Sequence, residues 1–172
     1  MRIQEVEAQL TAHKEMNSIT ASRCTSGMVG IQYQSLHNQW TTERSGLIAT
    51  IAFTKKHNTT LLKLTHSFNI AVWDSSRYSR WYFQIDGKEC VVPSQIDIVS
   101  YHTNTGIRYS PAVLTGICES TDVSGALLPA GSHSISVLIG PLLLFSAPTS
   151  HTVYTGYCST SFLEVQEICP PF

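Results

Sequence analysis

Seven histidines are the side chains of this sequence best suited to bind a metal ion or to transfer protons: His13, His37, His57, His66, His102, His133 and His151. No two of them have the His-x-His or His-Glu-x-x-His spacing that directs two imidazoles at one metal ion. The aspartates are scattered too, without the alternating oxygen ligands of a calcium loop. We therefore predict no cofactor; calcium is possible, but nothing in the sequence indicates it.

No motif in the sequence indicates nucleophilic catalysis either. Serines are abundant, yet the Gly-x-Ser-x-Gly turn that exposes a catalytic serine in many hydrolases does not occur. A Ser-His-Asp set could be assembled only by ignoring the residues around each serine. The histidines are then expected to be surface or hydrogen-bonded side chains. We predict that the chain is not an enzyme.

Five cysteines lie far apart and form no Cys-x-x-Cys pair: Cys24, Cys90, Cys118, Cys158 and Cys169. Zinc and redox sites use such close pairs, so disulfide bonds are the better interpretation. The sequon Asn58-Thr59-Thr60 falls in a polar turn between strand-like runs, where a glycan acceptor has to be exposed. Together these features predict a secreted, extracellular glycoprotein with a glycan on Asn58.

The composition excludes two classes of partner. The 172 residues carry a formal net charge of -1, which provides no field to attract nucleic acid. No apolar run approaches the roughly 20 residues that span a bilayer; the longest, 135–145, is interrupted by Gly140 and Pro141. The first residues lack the apolar core of a signal peptide, as expected of a mature fragment. We predict no nucleic-acid partner and no membrane insertion.

The first 22 residues differ from the rest because they are rich in helix formers. Ile3, Val6 and Leu10 follow a heptad seam, and the next seam positions are the polar His13 and Asn17. This pattern predicts a helical coiled-coil neck over residues 1–22 ahead of a head domain over 23–172. Three copies of His13 would meet on the axis of a trimeric neck and respond to pH. The alternatives are a dimeric neck, or a frayed, solvated helix with no partner.

Strand-like segments follow the neck, separated by turn residues. They cover 28–33, 46–53, 60–65, 68–73, 80–85, 96–101, 112–117, 131–139 and 162–168. Strands at such intervals, with no helical periodicity between them, predict an all-β sandwich or jelly roll.

Two of the turns predict hairpins. The polar residues 55–58 would join the strands 46–53 and 60–65. Asp86-Gly87 tolerates positive φ and follows an aromatic strand, so it is the clearest hairpin turn. In that strand Trp81 and Phe83 should share one face and Tyr82 the other.

Two blocks resemble a known family. Arg80-Trp81-Tyr82-Phe83 followed by Asp86-Gly87-Lys88-Glu89-Cys90 resembles the Arg-Trp-Tyr-Phe and Asn-Gly-x-Glu-Cys of the C-terminal domain of the collagen triple helix repeat-containing protein family. Gly116-Ile117-Cys118-Glu119 is similar to its Gly-Leu-Cys-Glu, and the resemblance spans about 45–168. It implies a trimeric jelly roll like the heads of complement C1q and tumour necrosis factor, secreted, matrix-associated and linked to Wnt signalling. No collagen-like Gly-X-Y run occurs in the sequence. The helical neck stands where the family has collagen, or the collagen lies outside this fragment.

The resemblance also implies disulfide pairs. Cys90 and Cys118 match cysteines of the family, so we predict that they are bonded, which would contribute about 3 kcal/mol; the alternative is two buried thiols. In such a jelly roll the first and last strands are neighbours, which suits a Cys24–Cys169 pair, although Cys158 competes. The odd cysteine either joins subunits or is buried.

The subunit interface of the implied trimer is expected in the most apolar segment. A strand buried on one side by its own core and on the other by a neighbouring subunit is a continuous apolar run. The predicted interface residues are Val137, Ile139, Leu142, Leu143, Leu144 and Phe145, together with the amphipathic Tyr82.

These observations predict a secreted homotrimeric recognition or adaptor domain. Its partners would be other copies of itself and an unidentified extracellular protein or glycan, with any Wnt-pathway role resting on the resemblance. The alternative is a structural assembly protein whose trimeric head nucleates a fibre, a coat or extracellular matrix.

Overall fold

The computed structural model describes residues 28–36, 46–73, 77–102, 108–140, 152–156 and 159–170. The predicted neck, its seam residues Ile3, Val6 and Leu10, and the boundary at residue 22 lie outside the described residues. The described residues form ten strands and no helix: β1 (Met28–Leu36), β2 (Gly46–Lys55), β3 (Leu61–Trp73), β4 (Arg77–Ile85), β5 (Lys88–Glu89), β6 (Asp97–His102), β7 (Arg108–Cys118), β8 (Gly131–Gly140), β9 (Thr152–Thr155) and β10 (Ser161–Ile168). No helix that could cross a membrane is found in this part of the chain.

The strands form two antiparallel sheets. Sheet I has the order β1-β10-β3-β7, with β9 also pairing with β3. Sheet II has the order β2-β8-β4-β5, with β6 also pairing with β4. The first and last strands are neighbours, as expected. The all-β prediction is confirmed, and two antiparallel sheets of this kind are consistent with a jelly-roll sandwich.

The core lies between the sheets because inward and outward side chains alternate along each strand. In sheet II, Trp81 and Phe83 point inward and Tyr82 points outward, as predicted. The buried indole Nε1 of Trp81 donates to Thr155 Oγ1 of β9 at 2.9 Å, so its polar atom is satisfied. Its ring lies 5.7 Å from that of Phe68 in sheet I. Trp81 therefore packs against sheet I and bonds to it.

The two predicted hairpins have different outcomes. Asp86 (φ 51°) and Gly87 (φ 79°) both have positive φ and join β4 to β5, which confirms the tight Asp-Gly turn. The hairpin between 46–53 and 60–65 is wrong. β2 pairs with β8 and β3 pairs with β10 and β7, so the chain crosses from one sheet to the other at this turn. Each of the two strands has one apolar face. The strands lie in opposite sheets and bury these faces against each other in the core, so they do not pair as a hairpin.

Cys90 and Cys118 are bonded, as predicted, with a Cα–Cα distance of 5.7 Å. The bond follows the end of β5 in sheet II and lies at the end of β7 in sheet I, so it joins the two sheets. Cys169 is also disulfide-bonded. Cys24 and Cys158 lie outside the described residues, so the predicted Cys24–Cys169 pair stays a prediction.

Candidate functional site

An aspartate and a histidine meet where the β4–β5 turn contacts β8. His133 Nδ1 lies 2.7 Å from Asp86 Oδ2, and His133 Nε2 lies 2.9 Å from the carbonyl oxygen of Pro129. Burial would raise the pKa of Asp86, but the hydrogen bond from Ser134 N and the contact with His133 outweigh it and lower that pKa. Since both ring nitrogens of His133 face acceptors, neither is placed to activate a hydroxyl. This pair holds the turn on β8.

A buried carboxylate, Glu167, organises the crossing between the sheets. It accepts hydrogen bonds from Lys56 N at 2.8 Å, from His57 N at 2.9 Å and from Thr60 Oγ1. Burial alone would raise its pKa, but these bonds and the charge of Lys55 lower it. The Lys55 ammonium donates to the carbonyl of His57. The carboxylate therefore satisfies the backbone of the turn, which is a structural role.

The predicted glycan acceptor lies in the same turn. Asn58 is exposed, and its Oδ1 accepts a hydrogen bond from Ala130 N at 2.6 Å. The amide oxygen is held by the chain, and the side chain lies at the surface. Glycosylation of Asn58 stays a prediction.

The outward face of sheet II carries a charge cluster around Arg80. Its Nη2 lies 2.5 Å from Glu89 Oε2 and its Nε lies 2.6 Å from Asp97 Oδ2. The guanidinium also lies over the ring of Tyr82, 4.5 Å from the centroid. The bond to Glu89 first, and then that to Asp97, outweigh burial and raise the pKa of Arg80. Burial raises the pKa of Tyr82. Arg80 thus stays charged and is fully paired within the chain.

Metal binding has no matching arrangement in the described part of the chain, where no three His, Cys, Asp or Glu side chains are grouped to hold an ion. His57 is exposed and His66 lies in the core. His13, His37 and His151 lie outside the described residues. The arrangement of the titratable groups is that of structural contacts.

The outward face of sheet I has a different character. We call it the sheet I face and define it by the outward side chains of β1, β10, β3 and β7. Its exposed apolar residues are Ile31 (48% exposed), Tyr109 (56%), Val113 (57%) and Phe162 (39%). Ser67 of β3 pairs with both Phe162 of β10 and Val113 of β7, so an apolar side chain lies on each side of one small hydroxyl.

The rest of the sheet I face is mostly uncharged. Thr65 and Thr115 hydroxyls hydrogen-bond across the strands at 3.0 Å. Among the outward residues that the structure describes, only Lys63 and Glu164 carry charge, and both are half-buried. Glu164 accepts a bond from Gln166 Nε2 at 2.7 Å. This broad, weakly charged surface exposes apolar side chains that the described part of the chain does not cover.

The predicted interface residues that the structure describes, Val137, Ile139 and Tyr82, do not lie on one face. Val137 and Ile139 point into the core and are buried by their own chain, whereas Tyr82 lies half-buried on the outward face of sheet II. Leu142, Leu143, Leu144 and Phe145 lie outside the described residues. Because alternate side chains of β8 face opposite ways, Val137 and Ile139 are inaccessible to a second chain.

Ile31, Val113 and Phe162 are not among the contact residues that the sequence predicts. A usable signal was present in the runs Ala112-Val113-Leu114 and Phe162-Leu163, where apolar residues occupy both alternating positions. A strand that is apolar at both positions has two faces to cover. The same rule favours 137–145 first, because that run is longer and more apolar.

The chain matches one family of known proteins. A family model described as "CTHRC1, C-terminal domain" matches residues 30–165. No curated protein matches the sequence. Among solved structures, the chain is similar to a chain in the structure of the infectious bursal disease virus Gx strain. The identity is 6%, the TM-score is 0.40, and the match covers 85% of this chain and 31% of the viral chain. It is also similar to a mutant VP2 protein of that virus in T=1 particles, with 10% identity, a TM-score of 0.23, and coverage of 82% and 34%. The chain spans about a third of the length of these viral chains.

Proposed function

The chain belongs to the CTHRC1 C-terminal domain family, and on that premise we propose that it is a secreted, non-enzymatic recognition or adaptor domain that works as a homotrimer. The family is extracellular, with matrix-associated or signalling domains. The matched residues include β2 to β9 and most of β1 and β10. A disulfide between buried cysteines agrees with an oxidising compartment.

The sheet I face is the observation that supports self-association, and the number of three chains rests on the resemblance to trimeric jelly-roll heads. Covering the exposed parts of its apolar side chains would contribute about 1 kcal/mol for each residue. Phe162, Ser67 and Val113 lie side by side across three strands and carry no charge, so covering this row buries no charged group. In a closed ring of three chains every copy uses the same two different patches, so the sheet I face of one chain would pack on another surface of the next chain.

Recognition of a different molecule would then use surfaces that the trimer leaves outside. Sheet II exposes Leu47, Tyr78 and Val99 beside the Arg80 cluster, and Val123 is exposed in the segment between β7 and β8. Such mixed apolar and polar surfaces suit an extracellular protein or glycan partner. Three copies of the recognition surface on one trimer would raise the overall affinity for a multivalent partner without new contacts.

Light scattering of the intact chain tests the homotrimer. The expected mass is three times the 19.0 kDa of one chain. Val113→Asp should lower the mass, because it places a carboxylate in the sheet I face, whereas the matched Val123→Asp should leave the mass unchanged. A monomeric wild-type chain at micromolar concentration, or equal masses for the two variants, would contradict the proposal.

A further inference from the structure

His66 is an ionisable residue in an otherwise apolar part of the core. It lies near the middle of β3, points inward between Leu64 and Phe68, and has no exposed surface. Its ring stacks on that of Phe68, with centroids 4.6 Å apart and planes 17° apart. The proposed function does not use this residue, and an apolar side chain would fill the same space. Its presence therefore calls for a physical account.

The hydrogen bonds of His66 select its neutral form. Its Nδ1 lies 3.0 Å from the carbonyl oxygen of Phe162, which can only accept, so Nδ1 carries the proton. In the neutral ring Nε2 is then unprotonated. This atom is enclosed, and no described residue offers it a hydrogen-bond partner. A second proton would create a charged ring whose new N–H group finds no protein acceptor there.

No described charged group compensates for such a proton. Directly opposite His66 on the neighbouring strands are Leu114 of β7 and Leu163 of β10, and from sheet II the ring of Trp81 packs on Phe68. The other buried ionisable side chains among the described residues are Lys55, Arg80, His133 and Glu167. Glu167 pairs with Leu62, about 13 Å along β3 from His66, and Lys55 lies beside Glu167. Arg80 and His133 belong to sheet II, where each is paired with carboxylates of its own sheet.

We propose that His66 makes the sandwich sensitive to mild acid, because protonation of its ring loosens the contact between β3 and β10. The two strands share the Phe162 carbonyl bond and pair from Leu61 to Ser67, so they separate or shift if the charged ring leaves the core. The effect is a property of one chain and does not depend on self-association. It adds a response to acidification that the proposed function does not include.

The direction of the effect follows from the titration of the ring. Burial, only partly offset by the Phe162 bond, lowers the pKa of His66 to about 4 from 6.5. Below pH 6.5 the unfolded chain therefore takes up a proton that the folded chain excludes, and stability falls until the pH reaches the folded value. From these two values, the folding equilibrium constant should fall about thirtyfold between pH 8 and pH 5 through this group.

Urea unfolding of the intact chain at pH 8 and pH 5 tests the proposal. Between pH 8 and pH 5, the folding equilibrium constant of the variant His66→Leu should fall about thirtyfold less than that of the wild type. The matched variant His57→Gln, changed at an exposed histidine, should behave like the wild type. Equal losses in wild type and His66→Leu would overturn the proposal.

A second measurement does not need the variant to fold. Proton NMR of the wild-type imidazole rings should show that the His66 ring is still neutral at pH 5, where an exposed histidine is already charged. A His66 ring that titrates near pH 6.5 in the folded chain would overturn the proposal as well.

Discussion

The two outward faces of the sandwich are built by the same alternation of side chains but differ in charge and in how their side chains are paired. On sheet II, Arg80 is paired with Glu89 and Asp97, so these three charged groups are satisfied within one chain. On the sheet I face, Val113 and Phe162 flank Ser67 and remain exposed. Sheet II exposes apolar residues too, but they border a charge cluster. A mixed surface suits a reversible partner, whereas a weakly charged apolar surface suits a permanent one.

The largest effect should come from removing the centre of the sheet II cluster. Arg80→Met leaves Glu89 and Asp97 beside each other without a cation. Removing one partner of a fully buried pair costs about 3 to 5 kcal/mol. The carboxylate side chains are 24% and 32% exposed, so water screens them and we expect a loss of about 2 kcal/mol in unfolding free energy. Urea unfolding measures it.

The matched change on the other face is Lys63→Met. Lys63 is half-buried on the sheet I face, and its removal should change the unfolding free energy by less than about 0.5 kcal/mol. Similar losses for Arg80→Met and Lys63→Met would show that the two faces do not differ in their dependence on charge.

A smaller effect is expected on association. Phe162→Ser removes one apolar contact from the sheet I face and should weaken self-association about tenfold, which is about 1.4 kcal/mol. Leu47→Ser, which removes an exposed apolar residue from sheet II, should leave the association constant unchanged. Sedimentation velocity over a range of concentrations measures both. Weakening by Leu47→Ser alone would assign self-association to the opposite face.

Local patterns in the sequence were enough for most of the strands and for one tight turn. The alternation around Trp81 and the Asp86-Gly87 turn depend on neighbouring residues only, and the structure confirms both. The pairing of Cys90 with Cys118 came from the resemblance to a family, because spacing alone allows other pairs. The four-residue strand β9 was not predicted, since so short a segment carries little pattern.

Long-range pairing could not be predicted from the sequence. An apolar strand face does not specify which sheet it joins, and the predicted hairpin of β2 with β3 failed for that reason. His66 falls between the predicted strands 60–65 and 68–73, which form the single strand β3, so local alternation could not predict its burial. For Val137 and Ile139, the apolar run did not distinguish a core strand from a subunit contact, whereas an interface in 142–145 stays a prediction.

Thiol labelling at two matched serines tests the central comparison most directly. Ser67 lies in the middle of the sheet I face and Ser136 in the middle of the sheet II face, and both are half-buried. In single variants Ser67→Cys and Ser136→Cys, with the wild-type chain as the background, maleimide should react slowly with Cys at position 67 when the chain is concentrated and faster on dilution. The reaction at position 136 should not depend on concentration. A labelling rate at position 67 that stays constant with concentration, while position 136 becomes protected, would contradict the account.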